Sequence, residues 1–219
     1  MLSSTSAPNG VAFDAAGDLF VASGGVNAMA VDPVASGTIF GQPVTAGVPV
    51  GLDTTSAASG VCNPNAVAFD GAGDLFLVNG CGRPVSVLAK ASGTVFGQAV
   101  VANTLTARRG LTGVGLVFDA AGDLFLSGGA SDSISVLPKT GPTTIFGQPF
   151  PTANSPAVLA AASRLNRPTG LAVGTRLAAT RCPSHEVCVA TVPEGLRGTA
   201  AARLTTTSGP SKGTAFPGS

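Results

Sequence analysis

Short apolar runs separated by polar turns set the rhythm of this chain, and none has helical periodicity. Val11-Ala12-Phe13 is ended by Asp14-Ala15-Ala16-Gly17-Asp18, and Leu19-Phe20-Val21-Ala22 follows at once. Aspartate bonds its own backbone and glycine tolerates positive φ, so the polar five predict a tight turn between two antiparallel strands. Ser23-Gly24-Gly25 breaks the second run, Ala28–Val31 reads as a third strand and Thr38-Ile39-Phe40 as a fourth. The order recurs as Val67–Phe69, Leu75–Val78, Val85–Leu88 and Thr94–Phe96, then as Leu116–Phe118, Leu124–Leu126, Ile134–Leu137 and Thr144–Phe146. Four antiparallel strands in about 45–50 residues, repeated, predict an all-β fold of β-propeller blades.

The repetition is also literal. FDAAGDLF, FDGAGDLF and FDAAGDLF begin at Phe13, Phe69 and Phe118, 56 and then 49 residues apart. Each is followed by TIFGQP, TVFGQA or TIFGQP. A fixed period of this length marks a supersecondary unit that buries its apolar face only against its neighbours. A fourth unit is altered: Pro168–Val173 matches Pro8–Phe13, Glu186–Ala190 matches Asp18–Ala22 after an eight-residue insertion, and Lys212–Phe216 matches Ser36–Phe40. One domain over residues 1–219 is expected, with blades at 8–50, 64–107, 113–153 and 168–216. Four visible blades leave two architectures open, a four-bladed ring or part of a larger one.

Pro-Asn-Gly-Val-Ala-Phe-Asp-x-x-Gly-Asp-Leu-Phe-Val-Ala, closed by Phe-Gly, resembles the NHL-repeat family of β-propellers. The likeness is close over residues 8–150 and looser over 168–216. It implies a propeller, usually of six blades. Some NHL relatives are lyases with histidine-bound metal in the ring centre, and some bind RNA on one face. A lesser likeness to FG-GAP propellers rests on Phe-Gly-Gln and Gly-Asp-Leu, without that family's dense calcium-binding aspartate loop.

Composition narrows the chemistry. Of 219 residues 44% are apolar and 11% charged, enough for a sizeable core. No apolar run of about 18 residues suggests a membrane span. Residues 1–82 hold six Asp and no Lys or Arg, while residues 83–219 hold all twelve basic residues and five acids. Such asymmetry is compatible with head-to-tail self-association that completes the ring or with a basic patch near one edge, while scattered, solvated charge is the plainer reading. Trp and Tyr are absent, which disfavours nucleic acid and carbohydrate as partners, since both commonly use aromatic platforms.

Candidate catalytic groups are few. Asp14, Asp18, Asp70, Asp74, Asp119 and Asp123 pair around the turns and recur with the scaffold, which marks them as turn residues rather than acid–base pairs. His185 is the only histidine, so a histidine-rich metal centre is excluded, and no Gly-x-Ser-x-Gly elbow supplies a nucleophile. No phosphate-cradling motif is present, and neither a cofactor nor a metal is expected. Ten of the eleven Phe residues occupy repeat positions, Phe150 being the exception, and they are expected to pack between blades.

Cys62 precedes the first strand of the second repeat and Cys81 follows its return strand, so antiparallel pairing brings them together. Cys182 and Cys188 flank a turn in the altered unit. Two local disulfides, Cys62–Cys81 and Cys182–Cys188, are expected, with free thiols or a metal site at Cys182, His185 and Cys188 as alternatives. Two disulfides would point to a setting outside the cell or on its surface, and a leader or anchor is then expected upstream, Met1–Gly10 having neither a basic n-region nor an apolar h-region. Loops at one end of the blades should carry Asn65, Asn79, Arg83, Arg108, Arg109, Asp132, Arg164 and Arg167 around the channel mouth. The expected function is a non-catalytic module binding a protein, peptide or small ligand there; the alternative is a propeller-type metal-dependent hydrolase or lyase.

Overall fold

A computed structural model describes residues 7–52, 61–82, 84–108, 110–159, 165–173, 178–184 and 187–191, the last two as backbone alone. The chain divides into two compact units, Met1–Val173 and Gly174–Ser219. The first is an all-β array of propeller blades.

Its first blade pairs β1 (Pro8–Phe13), β2 (Leu19–Ser23), β3 (Ala28–Asp32) and β6 (Val50–Leu52) in that order, all antiparallel. Between β3 and β6 a separate hairpin forms from β4 (Gly37–Ile39) and β5 (Gln42–Val44). The second blade repeats this with β7 (Pro64–Phe69), β8 (Leu75–Asn79), β9 (Val85–Leu88), the hairpin β10 (Gly93–Val95) and β11 (Gln98–Val100), and β12 (Leu105–Arg108). The third has β13 (Gly115–Phe118), β14 (Leu124–Ser127), β15 (Ile134–Leu137), the hairpin β16 (Thr143–Ile145) and β17 (Gln148–Phe150), and β18 (Ala157–Val158).

The outer strand is therefore not the Thr-Ile-Phe segment that the sequence suggested. Ile39 pairs with Gln42 across Phe40 (φ 46°) and Gly41 (φ 78°), both left-handed. This is the backbone of a type I′ hairpin turn, which closes the segment on itself. A bulky residue rarely takes positive φ, yet Phe96 and Phe146 do so again at 46° and 49°. Each Gln that follows ties the hairpin to the true outer strand: Gln42 Nε2 donates to Gly51 O at 2.8 Å, Gln98 Nε2 to Ala107 O at 2.8 Å and Gln148 Nε2 to Val158 O at 3.0 Å.

The repeat aspartates are turn residues. Asp14 Oδ1 accepts from the amides of Ala16 and Asp18, both at 2.9 Å. Asp18, buried, reaches out of the turn and accepts from Val34 N at 2.7 Å. Asp74 does the same with Lys90 N at 2.8 Å and Asp123 with Lys139 N at 2.7 Å. Each second aspartate thus latches the β-turn to the residues just past the third strand.

Burial raises the Asp74 carboxyl above its ordinary pKa; the neighbouring Asp70 charge adds to this, while the Lys90 amide and the Lys139 charge oppose it. A carboxyl raised on folding contributes stability that is present below its unfolded pKa and lost as pH rises through the folded value. At neutral pH Asp74→Asn, which keeps an acceptor for Lys90 N, is expected to equal or exceed the wild type in stability. Its advantage should vanish on acidification. Asp74→Ala orphans that amide and should cost about 1–3 kcal/mol. Urea melts of both variants at neutral and acid pH check this.

The core lies between blades rather than within them. Phe20, Met29, Val31 and Leu52 of the first blade pack on Val67, Leu75, Leu77 and Leu88 of the second. Phe76, Val78, Val85 and Val87 of the second pack on Leu116, Leu124, Leu126 and Leu137 of the third. A middle strand such as Leu75-Phe76-Leu77-Val78 faces a neighbour on each side, so it is apolar throughout instead of alternating. Phenylalanines mark each interface: Phe20 meets Phe69 edge-on at 4.8 Å, and Phe76 meets Phe118 edge-on at 4.8 Å. The turn phenylalanines complete each trio, Phe40 at 6.1 Å from Phe20 and Phe96 at 5.9 Å from Phe76.

The second unit contains an antiparallel hairpin, β19 (Ala178–Ser184) with β20 (Val187–Thr191), in which Ser184 pairs with Val187. Among the described residues no helix is long and apolar enough to cross a membrane.

Candidate functional site at the centre of the array

The first strand of each blade is paired on one side only, and this explains its opening residues. Proline has no N–H to offer a ladder and suits a free edge, and Pro8 and Pro64 begin β1 and β7. The residue two places on is small because neighbouring first strands touch. A Cβ on Gly10 would stand 2.9 Å from Ala66 Cα, and one on Gly115 would stand 2.5 Å from Thr169 O. Asn9 Nδ2 donates to Pro64 O at 3.0 Å, and Ser127 Oγ donates to Thr169 O at 3.2 Å. Further out, Asn63 N donates to Asn27 Oδ1 at 2.6 Å, and Arg167 N to Asp132 Oδ1 at 2.7 Å. All four of these clasp residues are left-handed, with φ between 43° and 53°.

The four opening segments enclose a cavity of about 490 Å³. Its polar side chains are Asn9, Asn65 and Thr169; the remainder is backbone, glycine, alanine, valine and leucine. The Asn65 carboxamide makes no hydrogen bond to a described residue. The described lining holds no carboxylate, histidine or cysteine, and among the described residues no three such groups cluster as a metal site would require. What this arrangement offers is recognition: amide and hydroxyl groups plus unpaired strand edges that hydrogen-bond a polar ligand.

The residues expected at the mouth are distributed as follows. Asn65 lines the cavity, and Arg167, exposed, adjoins its fourth segment. Asp132 serves as a backbone clasp to Arg167. Asn79 is buried: its Oδ1 accepts from Cys62 N at 3.1 Å, and its Nδ2 donates to Pro84 O and Ser86 Oγ, each at 3.0 Å. Arg108 folds onto its own blade's hairpin, donating through Nη2 to Phe96 O at 2.7 Å and through Nη1 to Gln98 Oε1 at 3.3 Å. Burial pushes its guanidinium below the ordinary value, though it stays charged at neutral pH. Arg83, Arg109, Arg164 and His185 lie outside the described residues.

Cys62 and Cys81 form a disulfide, closing the entrance of β7 onto the exit of β8. Cys182 and Cys188 fall on β19 and β20, where side chains lie outside the description. Asn9 and Thr169, which also line the cavity, are not among the residues expected at the mouth. Their signal was the opening phrase itself, Pro-Asn-Gly at residues 8–10 and Pro-Thr-Gly at 168–170.

No protein-family model and no curated protein matches the chain. Among solved structures it is similar to a streptogramin B lyase, with 14% identity and a TM-score of 0.41 over 65% of this chain and 40% of that one. It is also similar to two structures of virginiamycin B lyase from Staphylococcus aureus. One is a catalytically inactive form with quinupristin, at 14% identity and a TM-score of 0.38 over 64% of this chain and 40% of that one. The other is a selenomethionine-substituted form, at 16% identity and a TM-score of 0.39 over 66% of this chain and 41% of that one. The chain thus spans about two fifths of the length of these structures. The fold class rests on its own strand pairing.

Proposed function

We propose that this chain is a non-catalytic, NHL-like β-propeller repeat protein acting as a binding or scaffold module, with a protein, peptide or small ligand seated at the mouth of the central cavity. The observation that carries this reading is the cavity's chemistry: three neutral polar side chains, Asn9 and Asn65 on first strands and Thr169 on the fourth opening segment, with no titratable group in the described lining. Such a surface orients a ligand by hydrogen bonds and supplies neither a general acid nor a general base. Arg167 beside it gives an anionic group a bidentate partner. The Cys62–Cys81 bridge suits an oxidising, extracellular or cell-surface setting. Association of a second copy is part of the same proposal, one array completing the ring of the other.

Capped dipeptides titrated into the intact chain provide the test. Whichever of them binds should lose about tenfold in affinity in Asn65→Leu, the effect of one hydrogen bond to a desolvated group, with the fold unchanged by circular dichroism. Unchanged affinity would move the site elsewhere. Stoichiometric calcium or zinc on protein purified without chelator would instead support the metal-dependent hydrolase or lyase.

A further inference from the structure

Asn9 and Asn65 reach the central cavity through the same irregularity. Pro8 pairs with Ser23 and Gly10 with Ala22, so Asn9 is one residue more than the partner strand has. Pro64 pairs with Asn79 and Ala66 with Val78, which makes Asn65 the extra residue of the second blade. A bulge of this kind takes a side chain out of the strand's alternation and re-aims it. Both extra residues are asparagines, and both line the cavity. Their employment differs. Asn9 Nδ2 donates to Pro64 O at 3.0 Å and ties the first blade to the second. Asn65 holds the same place one blade on, yet its carboxamide bonds to no described residue. Half-buried, it keeps two donors and an acceptor for a ligand.

The rest of the described lining narrows the chemistry of that ligand. It holds no ionisable side chain, so a carboxylate or an ammonium would enter without a counter-charge. It holds no aromatic ring either, so a nucleobase would have nothing to stack on. Val11, Val67, Val114, Leu116 and Leu171 offer apolar contacts. These suit a short methylene stem, and a hydrogen bond made among apolar groups is stronger than one made in water. Asn65 itself selects between neutral polar groups. A primary carboxamide presents N–H and C=O on one edge and pairs with another carboxamide through two hydrogen bonds. A trans peptide bond presents them on opposite edges and pairs through one.

We propose that the central cavity receives a primary carboxamide, the side chain of a glutamine in a partner peptide, paired with Asn65 through two hydrogen bonds. That pairing presupposes the cavity as the ligand site and adds the chemical group the site selects. The two methylenes of glutamine lie along the apolar wall, and Asn9, spent on Pro64 O, holds the neighbouring strand in place.

Proton–nitrogen correlation titrations of the intact chain test this with three probes. They are N-acetyl-glutaminyl-alanine N-methylamide, its glutamate analogue, and an analogue whose side-chain amide carries two methyl groups in place of its hydrogens. The glutamine peptide should bind about tenfold or more tighter than either analogue, the effect of one hydrogen bond or more, and should shift the Asn65 side-chain amide signals. Asn65→Leu should abolish the preference. Asn65→Asp, which keeps the shape and loses the N–H donors, should abolish it too and keeps the test decisive if Asn65→Leu fails to fold. A dimethylated analogue that binds as tightly as the glutamine peptide, with both weakened by Asn65→Leu, overturns the carboxamide and leaves the cavity as ligand site. A glutamine preference unchanged in both variants overturns the carboxamide pairing and the cavity site together. Tightest binding of the glutamate peptide, lost in Arg167→Ala, overturns the proposal by assigning the ligand to the arginine at the mouth. Absence of binding by the glutamine peptide overturns it as well.

Discussion

Phe76→Ala is expected to lower stability by about 3–5 kcal/mol, the usual cost of emptying a buried phenylalanine site. Phe76 is 0% exposed and sits edge-on to Phe118 at 4.8 Å and to Phe96 at 5.9 Å. Its loss therefore removes one aromatic contact across the interface with the third blade and one within the second, and leaves a cavity that the strands packed on both sides cannot close. Phe13 is the control, since it begins the same phrase yet is 64% exposed and has no ring partner among the described residues. Phe13→Ala should stay within about 0.5 kcal/mol of the wild type. Denaturant midpoints compare the two directly. Similar costs would contradict the view that stability resides between blades.

Removal of the Cys62–Cys81 bridge by a double alanine substitution is the second large effect. The bridge spans 19 residues, and closing a loop of that length is worth about 3 kcal/mol through the unfolded chain's lost freedom. For a chain of this size the melting temperature should fall by about 6–12 °C. The bridge also fixes the entry to β7, where Gly80 N donates to Asn63 O at 2.9 Å and Cys62 N donates to Asn79 Oδ1 at 3.1 Å. The first blade holds the corresponding ends with Gly24 N on Ala7 O at 3.0 Å. Melting the wild type with reductant should reproduce the double variant. Identical melts with and without reductant would contradict the assigned pairing.

The inner half of each blade was legible in the sequence because its information is local. In FDAAGDLF the aspartates and glycine specify the turn, and the flanking apolar residues specify strands with neighbours on both faces. The outer half was not. Val50–Leu52, Leu105–Arg108 and Ala157–Val158 share no phrase, and they pair through register with β3, β9 and β15 rather than through a turn signal. Thr38-Ile39-Phe40 has good strand composition and does form a strand, but left-handed Phe40 turns it back on Gln42. Phenylalanine gives no hint of that conformation; its ring is wanted at the blade interface, and the backbone accommodates it.

The site was legible in position more than in membership. Asn65 follows a proline at the head of a first strand, and topology alone carries it to the axis. Asn79 ends a strand before Gly80, which resembles a loop until its three hydrogen bonds show it buried. Arg108 reads as a free cation because sequence cannot show that a long side chain folds back onto a turn ten or twelve residues earlier.

The most direct test of the account is a proton–nitrogen correlation map of the intact chain with a capped dipeptide bound. Shifts are expected to concentrate at Asn9, Asn65, Gly115 and Thr169, around the central cavity. Shifts confined to the outer strands and hairpins, with those four unmoved, would contradict it.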